Sequence, residues 1–165
     1  TLMFTASSTA TTGLANVTVT GMSDTLSRST PVALTINSGG NGGSVTITPV
    51  VTSNSPWFNE QQLHIGHTGT LTALSITIVI QRTSGISPSG QYNTVGGQIQ
   101  QSVSSTSSTI TYQFTLASGQ SLGPSTSRTF AVQMSGNGTA HPTSGDTYTV
   151  SYTTGGESHT ETGTF

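Results

Sequence analysis

Apolar and polar residues alternate with a period of two along most of the chain. Val17-Thr18-Val19, Val32 to Ile36, Val45 to Val51, Leu63-His64-Ile65, Leu74 to Ile80, Val95 to Val103, Ile110 to Leu116, Phe130 to Met134, Tyr148 to Tyr152 and a tail ending at Phe165 follow one another closely. A strand sends successive side chains to opposite faces, so each run is a strand with one apolar face. No stretch shows the period of an amphipathic helix. Turn signals separate the runs, among them Ser84-Gly85, Ser89-Gly90, Ser118-Gly119, Gly136-Asn137-Gly138 and Gly155-Gly156. Short strands at this spacing predict an all-β fold, an antiparallel β-sandwich of jelly-roll or immunoglobulin-like type.

The parity of the runs assigns the core. One inner face is expected from Val45, Ile47, Leu74, Ile76, Ile78, Ile80, Val95, Ile99, Ile110, Phe114, Leu116, Phe130, Val132, Val150 and Tyr152. The opposite face of each strand is Thr, Ser and Gln, which reads as solvated. Ser38-Gly39-Gly40-Asn41-Gly42-Gly43 has the composition of a flexible linker and divides the chain. Residues 1–37 hold only two strand-like runs, too few to bury a core alone. They read as the C-terminal remnant of an upstream immunoglobulin-like domain, and residues 44–165 as the functional module.

Composition narrows the partners. Only 3 of 165 residues are Lys or Arg, 5 are Asp or Glu, and the net charge is −2. Neutralising phosphates or holding an anionic bilayer scales with the number of cations brought to the contact, so nucleic acid and membrane surface drop out. Cysteine is absent; disulfides, thiolate nucleophiles and thiolate metal sites are thereby excluded. No apolar run reaches the roughly 20 residues of a membrane-spanning helix. Thr1-Leu2-Met3-Phe4 lacks the basic start of a signal peptide, so the sequence reads as beginning inside a longer, secreted bacterial protein.

A neutral, amide-rich surface suits a sugar. Pyranose rings offer C–H groups on a flat face and hydroxyls around the rim, and are met by exposed aromatic rings beside amides and carboxylates. If Val95, Ile99 and Val103 point inward, alternation turns Tyr92, Thr94, Gly96, Gln98 and Gln100 outward together, and on another strand it turns Gln133 outward. The bland alternative is a solubilising Gln row with Gly96-Gly97 as a bulge. Trp57 follows Pro56, which interrupts pairing, so one of Trp57 and Phe58 should enter the core and the other stay out. Parity with Leu63 and Ile65 favours Trp57 as the inward one. The ligand-binding candidates are Trp57, Tyr92, Gln98, Gln100 and Gln133. Tyr112, Tyr148 and Tyr152 share parity with core positions and are expected inside.

Metal and catalytic readings are weaker. His64 and His67 form H-x-x-H, but residues three apart on a strand face opposite ways, and all four histidines read as exposed and idle. No metal site and no cofactor is expected; Glu60, Asp146 and Asn59 are the only oxygens offered for a structural calcium, without a D-x-D loop. A glycosidase needs two carboxylates across the scissile bond, and only Glu60 and Asp146 fall in segments that face a cleft. No G-x-S-x-G occurs. The chain is expected not to be an enzyme.

Three segments carry a family resemblance: Ser55-Pro56-Trp57-Phe58-Asn59-Glu60, Leu71 to Ile78, and Gly90-Gln91-Tyr92-Asn93-Thr94-Val95-Gly96-Gly97-Gln98-Ile99. Together they resemble carbohydrate-binding module family 81, an accessory module of bacterial endoglucanases. Ser121 to Phe130, with Gln133 and Gly136, more distantly resembles family-2 cellulose-binding modules. The resemblance covers about residues 44–165. It implies a β-sandwich that binds β-1,4-glucans, cellulose, cello-oligosaccharides and xyloglucan among them, and tethers a covalently attached glycoside hydrolase to plant cell-wall polysaccharide. Family-2 modules usually show several surface tryptophans, and this chain has one, which favours soluble or amorphous glucan over crystalline cellulose. The alternative is a structural immunoglobulin-like spacer or adhesin domain.

Overall fold

A computed structural model describes residues 13–36, 42–83 and 85–165, together with Phe4 and Thr11. The chain divides into two compact units, Thr1–Gly40 and Asn41–Phe165. Most of the expected 38–43 linker lies outside the described residues.

In the first unit β1 (Gly13–Ser23) and β2 (Leu26–Ile36) form a two-stranded antiparallel ribbon in continuous register. The two-residue turn depends on Asp24, whose φ of 48° is one that Asp tolerates better than most side chains. Val17 lies opposite Val32 and Ala15 opposite Leu34, giving one apolar face.

The second unit is an all-β sandwich. Its strands are β3 (Val45–Asn54), β4 (Phe58–His67), β5 (Leu71–Gln81), β6 (Ser87–Asn93), β7 (Ile99–Ser105), β8 (Thr109–Leu116), β9 (Ser125–Ser135), β10 (Thr147–Thr154) and β11 (Glu157–Thr164). They form a four-stranded sheet ordered β3-β4-β9-β6 and a five-stranded sheet ordered β11-β10-β5-β8-β7, with every pair antiparallel. The expected inner face is the observed one: Ile76, Ile78, Ile80, Ile110, Phe114, Phe130, Val132 and Val150 are fully buried, and Val45, Ile47 and Val95 pack against them. Phe114 and Phe130 meet edge-to-face at 5.5 Å between the two sheets. Burying rings of this size contributes about 1.5–3 kcal/mol each. Tyr112 is buried, crosses from the five-stranded sheet and donates its hydroxyl to the Gln133 carbonyl on β9 at 2.6 Å.

One expected strand is two. The Val95–Val103 run breaks because Asn93 folds its side chain back, Oδ1 accepting from the backbone N–H of Val95 at 2.8 Å and of Gly96 at 2.7 Å. Gly96 then takes φ 93°, a conformation that side chains resist. The chain leaves the four-stranded sheet at Asn93 and joins the five-stranded sheet at Ile99. The Gln91 amide spans the same gap in one of its two orientations, donating to the Ser102 carbonyl at 3.1 Å and accepting from its N–H at 3.0 Å.

The two sheets differ in regularity. Three of the four-stranded sheet's pairings are offset, between Val51 and Ser53, Ile65 and His67, and Pro88 and Gly90. The five-stranded sheet has a single offset, between Thr153 and Thr154. Bulges concentrate where a strand must re-aim side chains, and here they surround one outer face.

Candidate functional site

Alternation along β4 sends Asn59, Gln61, Leu63 and Ile65 into the core and Phe58, Glu60, Gln62 and His64 outward. On β9 the outward residues beside them are Ala131 and Gln133, and on β6 Gly90 and Tyr92. Register therefore stacks two rows across three strands: Glu60, Gln133, Gly90 and then Gln62, Ala131, Tyr92.

Glu60 is the centre of these rows. Its Oε2 accepts from Gln133 Nε2 at 2.6 Å, and its Oε1 accepts from Gln62 Nε2 at 2.6 Å, Thr52 Oγ1 at 2.9 Å and the Tyr92 hydroxyl at 3.4 Å. Gln62 Nε2 also donates to the Tyr92 oxygen at 3.0 Å, closing a bridge over Ala131. His64 Nε2 lies 2.7 Å from Gln62 Oε1. That oxygen can only accept, so Nε2 is the donor. Partial burial opposes the charge on Glu60, but the four donated hydrogen bonds outweigh it and hold the carboxyl below its ordinary 4.5. Tyr92 moves up, through burial first and the adjacent carboxylate second.

Gly90 makes room for this cluster: a Cβ there would stand 2.7 Å from Gln133 Oε1. The face carries ring surface as well. Tyr92 and Phe58 are each 38% exposed and Trp57 is 66% exposed. The indole lies along Gly138, where a Cβ would come within 3.1 Å of its ring, and the Trp57 carbonyl accepts from Gly136 N–H at 2.9 Å. The residues 136–138 turn thus props the only tryptophan at the end of the face.

The five candidates do not share one surface. Tyr92 and Gln133 come together through Glu60, and Trp57 stands at the end of their sheet. Gln98 sits in the connection after β6, where its Nε2 donates to Gln120 Oε1 at 3.0 Å. Gln100 lies on β7 opposite Thr115, on the outer face of the other sheet. The turn at Asn93–Gly96 is the physical reason, since it resets the alternation between Tyr92 and Gln98. Trp57 and Phe58 both stay outside, contrary to the expectation that one would be core: Trp57 lies in a bend before β4 begins, and the inward parity belongs to Asn59 and Gln61. Glu60, Gln62 and His64 were not among the candidates. Alternation with Leu63 and Ile65 already turns them outward in the sequence; what parity does not encode is the cross-strand register that brings Gln133 and Tyr92 beside Glu60.

Asp146, His141 and His67 are held in buried hydrogen-bond networks. Asp146 is fully buried and takes three hydrogen bonds, from Gln61 Nε2 at 2.5 Å, His141 Nε2 at 2.7 Å and the Gln81 N–H at 2.8 Å. Glu60 and Asp146 therefore do not line one cleft, and Glu60 lies on the opposite side of β4 from Asn59, so these oxygens do not gather as a calcium site. Among the described residues no group of three or more His, Asp or Glu is arranged to hold a metal. Two histidines expected to be idle and exposed are buried. His141 partners Asp146. His67 accepts from Arg128 Nε at 3.2 Å, which leaves its Nδ1 proton to meet the Gly69 carbonyl at 2.8 Å. A depression of ≈ 570 Å³ is lined by His67 with Ser, Thr, Gly and Pro residues and has no Phe, Tyr or Trp in its wall.

No family model matches the chain, and no curated protein matches it by sequence. Among solved structures it is similar to a GH20 exo-β-N-acetylglucosaminidase from Vibrio harveyi in complex with N-acetylglucosamine, at 14% identity and a TM-score of 0.42. That likeness covers 72% of this chain and only 17% of the Vibrio enzyme. An inactive mutant of the same enzyme gives 12% identity and a TM-score of 0.39 over the same shares. A cohesin module from a Clostridium perfringens family 33 glycoside hydrolase is similar at 12% identity and a TM-score of 0.37, over 74% of this chain and 93% of the module.

Proposed function

We propose that residues 44–165 are a non-catalytic, secreted carbohydrate-binding module that takes neutral β-1,4-glucan chains on the outer face of the four-stranded sheet and directs an attached glycoside hydrolase to them. The observation that carries this reading is the Glu60 cluster: a fixed carboxylate and two amides on one sheet face that also bears the rings of Phe58 and Tyr92, with Trp57 at its end. Rings supply stacking area for C–H faces, and the fixed acceptors meet sugar hydroxyls. The carboxylate has no Lys or Arg among its hydrogen-bond partners, so uronates and sulfated glycans would be repelled. Shallow sites exchange water for hydroxyls at small net gain, so the affinity belongs to the weak class.

Calorimetric titration with cello-oligosaccharides, supported by retardation in gels containing β-glucan, xyloglucan or polygalacturonate, tests the reading. Wild-type protein should bind the neutral glucans and ignore polygalacturonate. Tyr92→Ala and Glu60→Gln should each weaken binding about tenfold, the equivalent of ~1.4 kcal/mol, while Gln100→Ala should leave it unchanged. Wild-type binding that survives both substitutions would remove this face, and no retardation in any gel would favour the spacer or adhesin role.

A further inference from the structure

The face that carries the Glu60 cluster holds a charge that nothing on it balances. The four side chains that donate to the carboxylate, Gln133, Gln62, Thr52 and Tyr92, are all neutral. Of the three arginines, Arg82 is held by the Ile86 and Thr106 carbonyls, Arg128 by His67 and the Gly123 carbonyl, and Arg28 belongs to the other unit. Among the described residues the one pairing of a carboxylate with a basic side chain is the buried contact of Asp146 with His141. Glu60 is only half-buried, so its charge is open to a ligand.

The cluster also spends its hydrogens on itself. Gln62 Nε2 gives one to Glu60 Oε1 and the other to the Tyr92 oxygen, and the Thr52 and Tyr92 hydroxyls both turn to Glu60 Oε1. What is left over is mostly acceptor. Glu60 Oε2 takes a bond from Gln133 alone. Gln133 Oε1 leans over the bare Gly90, where a Cβ would stand 2.7 Å from it, and takes no hydrogen bond among the described residues. These two acceptors, one of them charged, lie in a row flanked by the rings of Phe58 and Tyr92. A hydroxyl donates one hydrogen to such a site and an ammonium three. A charge-assisted bond is about twice as strong as a neutral one, and a cation gains further from neighbouring ring faces. In a β-1,4-linked chain the C2 substituent is equatorial and projects at the rim of each sugar ring. An ammonium in place of the C2 hydroxyl keeps the stacking faces and supplies the charge that the carboxylate lacks. Resting on the reading of this face as a platform for β-1,4-linked chains, we propose that its preferred ligand is the aminated polymer, β-1,4-linked glucosamine, which Glu60 selects over neutral glucan by bonding the C2 ammonium.

The test titrates the full chain with oligosaccharides of equal length built from glucose, N-acetylglucosamine or glucosamine. Mildly acidic buffer keeps the amines charged and Glu60 ionised, and circular dichroism confirms that each variant is folded. The glucosamine chain should bind the wild type about tenfold tighter than the glucose chain, and the N-acetylated chain, which has no charge, should bind no tighter than glucose. Glu60→Gln should erase that preference. Glu157→Gln removes the same net charge from β11 on the other sheet and should preserve it. Equal affinity of the wild type for the aminated and neutral chains overturns the proposal, as does a preference that survives Glu60→Gln. A preference lost equally in Glu157→Gln also overturns it, by assigning the effect to overall charge. Oligolysine that binds as tightly as the glucosamine chain overturns it too, by assigning the site to a cationic peptide. Neutral-glucan binding that depends on Tyr92 but shows no amine preference defeats this inference and leaves the glucan platform standing, whereas no binding of any chain defeats both.

Discussion

Asp146 and Glu60 show how the same functional group is put to opposite uses by its side of a sheet. Both are carboxylates supplied with several donors, yet one is sealed in the core and the other sits at the surface. A buried charge persists only if its partners remove most of the cost of leaving water, and removing one member strands the others. Asp146→Ala would leave His141 Nε2, Gln61 Nε2 and the Gln81 N–H without their acceptor, and should destabilise the protein by about 3–5 kcal/mol. Urea denaturation followed by circular dichroism measures this; a loss below ~1 kcal/mol would mean that water reaches the cluster. The charge on Glu60 has a different dependence. Its folded pKa lies below 4.5, so its stabilising contribution is complete above that value and is lost only as pH falls through the lower one.

At the level of strands, how much was legible in the sequence depended on whether alternation ran unbroken. Away from their register offsets β5, β8, β9 and β10 alternate cleanly, and Ile76, Phe114, Phe130 and Val150 lie where their parity put them. The connection between β6 and β7 was misread because Val95, Ile99 and Val103 keep an even spacing across a turn that resets direction. A side-chain hydrogen bond from Asn93, which parity does not encode, decides the path there. Two of the five candidates, Gln98 and Gln100, were lost to that misreading, and Glu60 was left out of the binding face because the register that sets Gln133 and Tyr92 beside it is not encoded in parity. The β10–β11 hairpin offers a test at this scale. Tyr152 stacks on His159 and donates to Glu161 at 2.8 Å. Burial first, and the Glu161 carboxylate second, push its hydroxyl up to about 12. A raised folded pKa gives stability that is whole below the ordinary value of 10 and disappears as pH rises toward 12. Denaturation midpoints from pH 9 to 12 should fall more steeply in the wild type than in Tyr152→Phe; parallel curves would show that the hairpin opens before the phenol ionises.

For the molecule as a whole, two compact units joined through a Gly-rich stretch set an expectation for proteolysis. A ribbon of two strands is marginal on its own, whereas the sandwich has a complete core between its sheets. Limited digestion with a protease of broad specificity should cut within residues 38–43 and leave a resistant fragment beginning near residue 44, identified by mass spectrometry. Survival of the 38–43 segment under conditions that clip other loops would show that the ribbon is docked. The two outer faces of the sandwich also differ in chemistry. The bulged four-stranded sheet gathers a carboxylate, amides and rings, and the regular five-stranded sheet holds a neutral hydroxyl array.

The placement of the single indole has a practical corollary for spectroscopy. Trp57 is already largely in water in the native protein, so its emission maximum will scarcely move when the chain unfolds. A sugar ring settling over it would exclude solvent and shift that emission to the blue. Intrinsic fluorescence should therefore be nearly blind to denaturation here, and under the proposed function a blue shift on adding glucan would report a sugar on the surface beside Gly138.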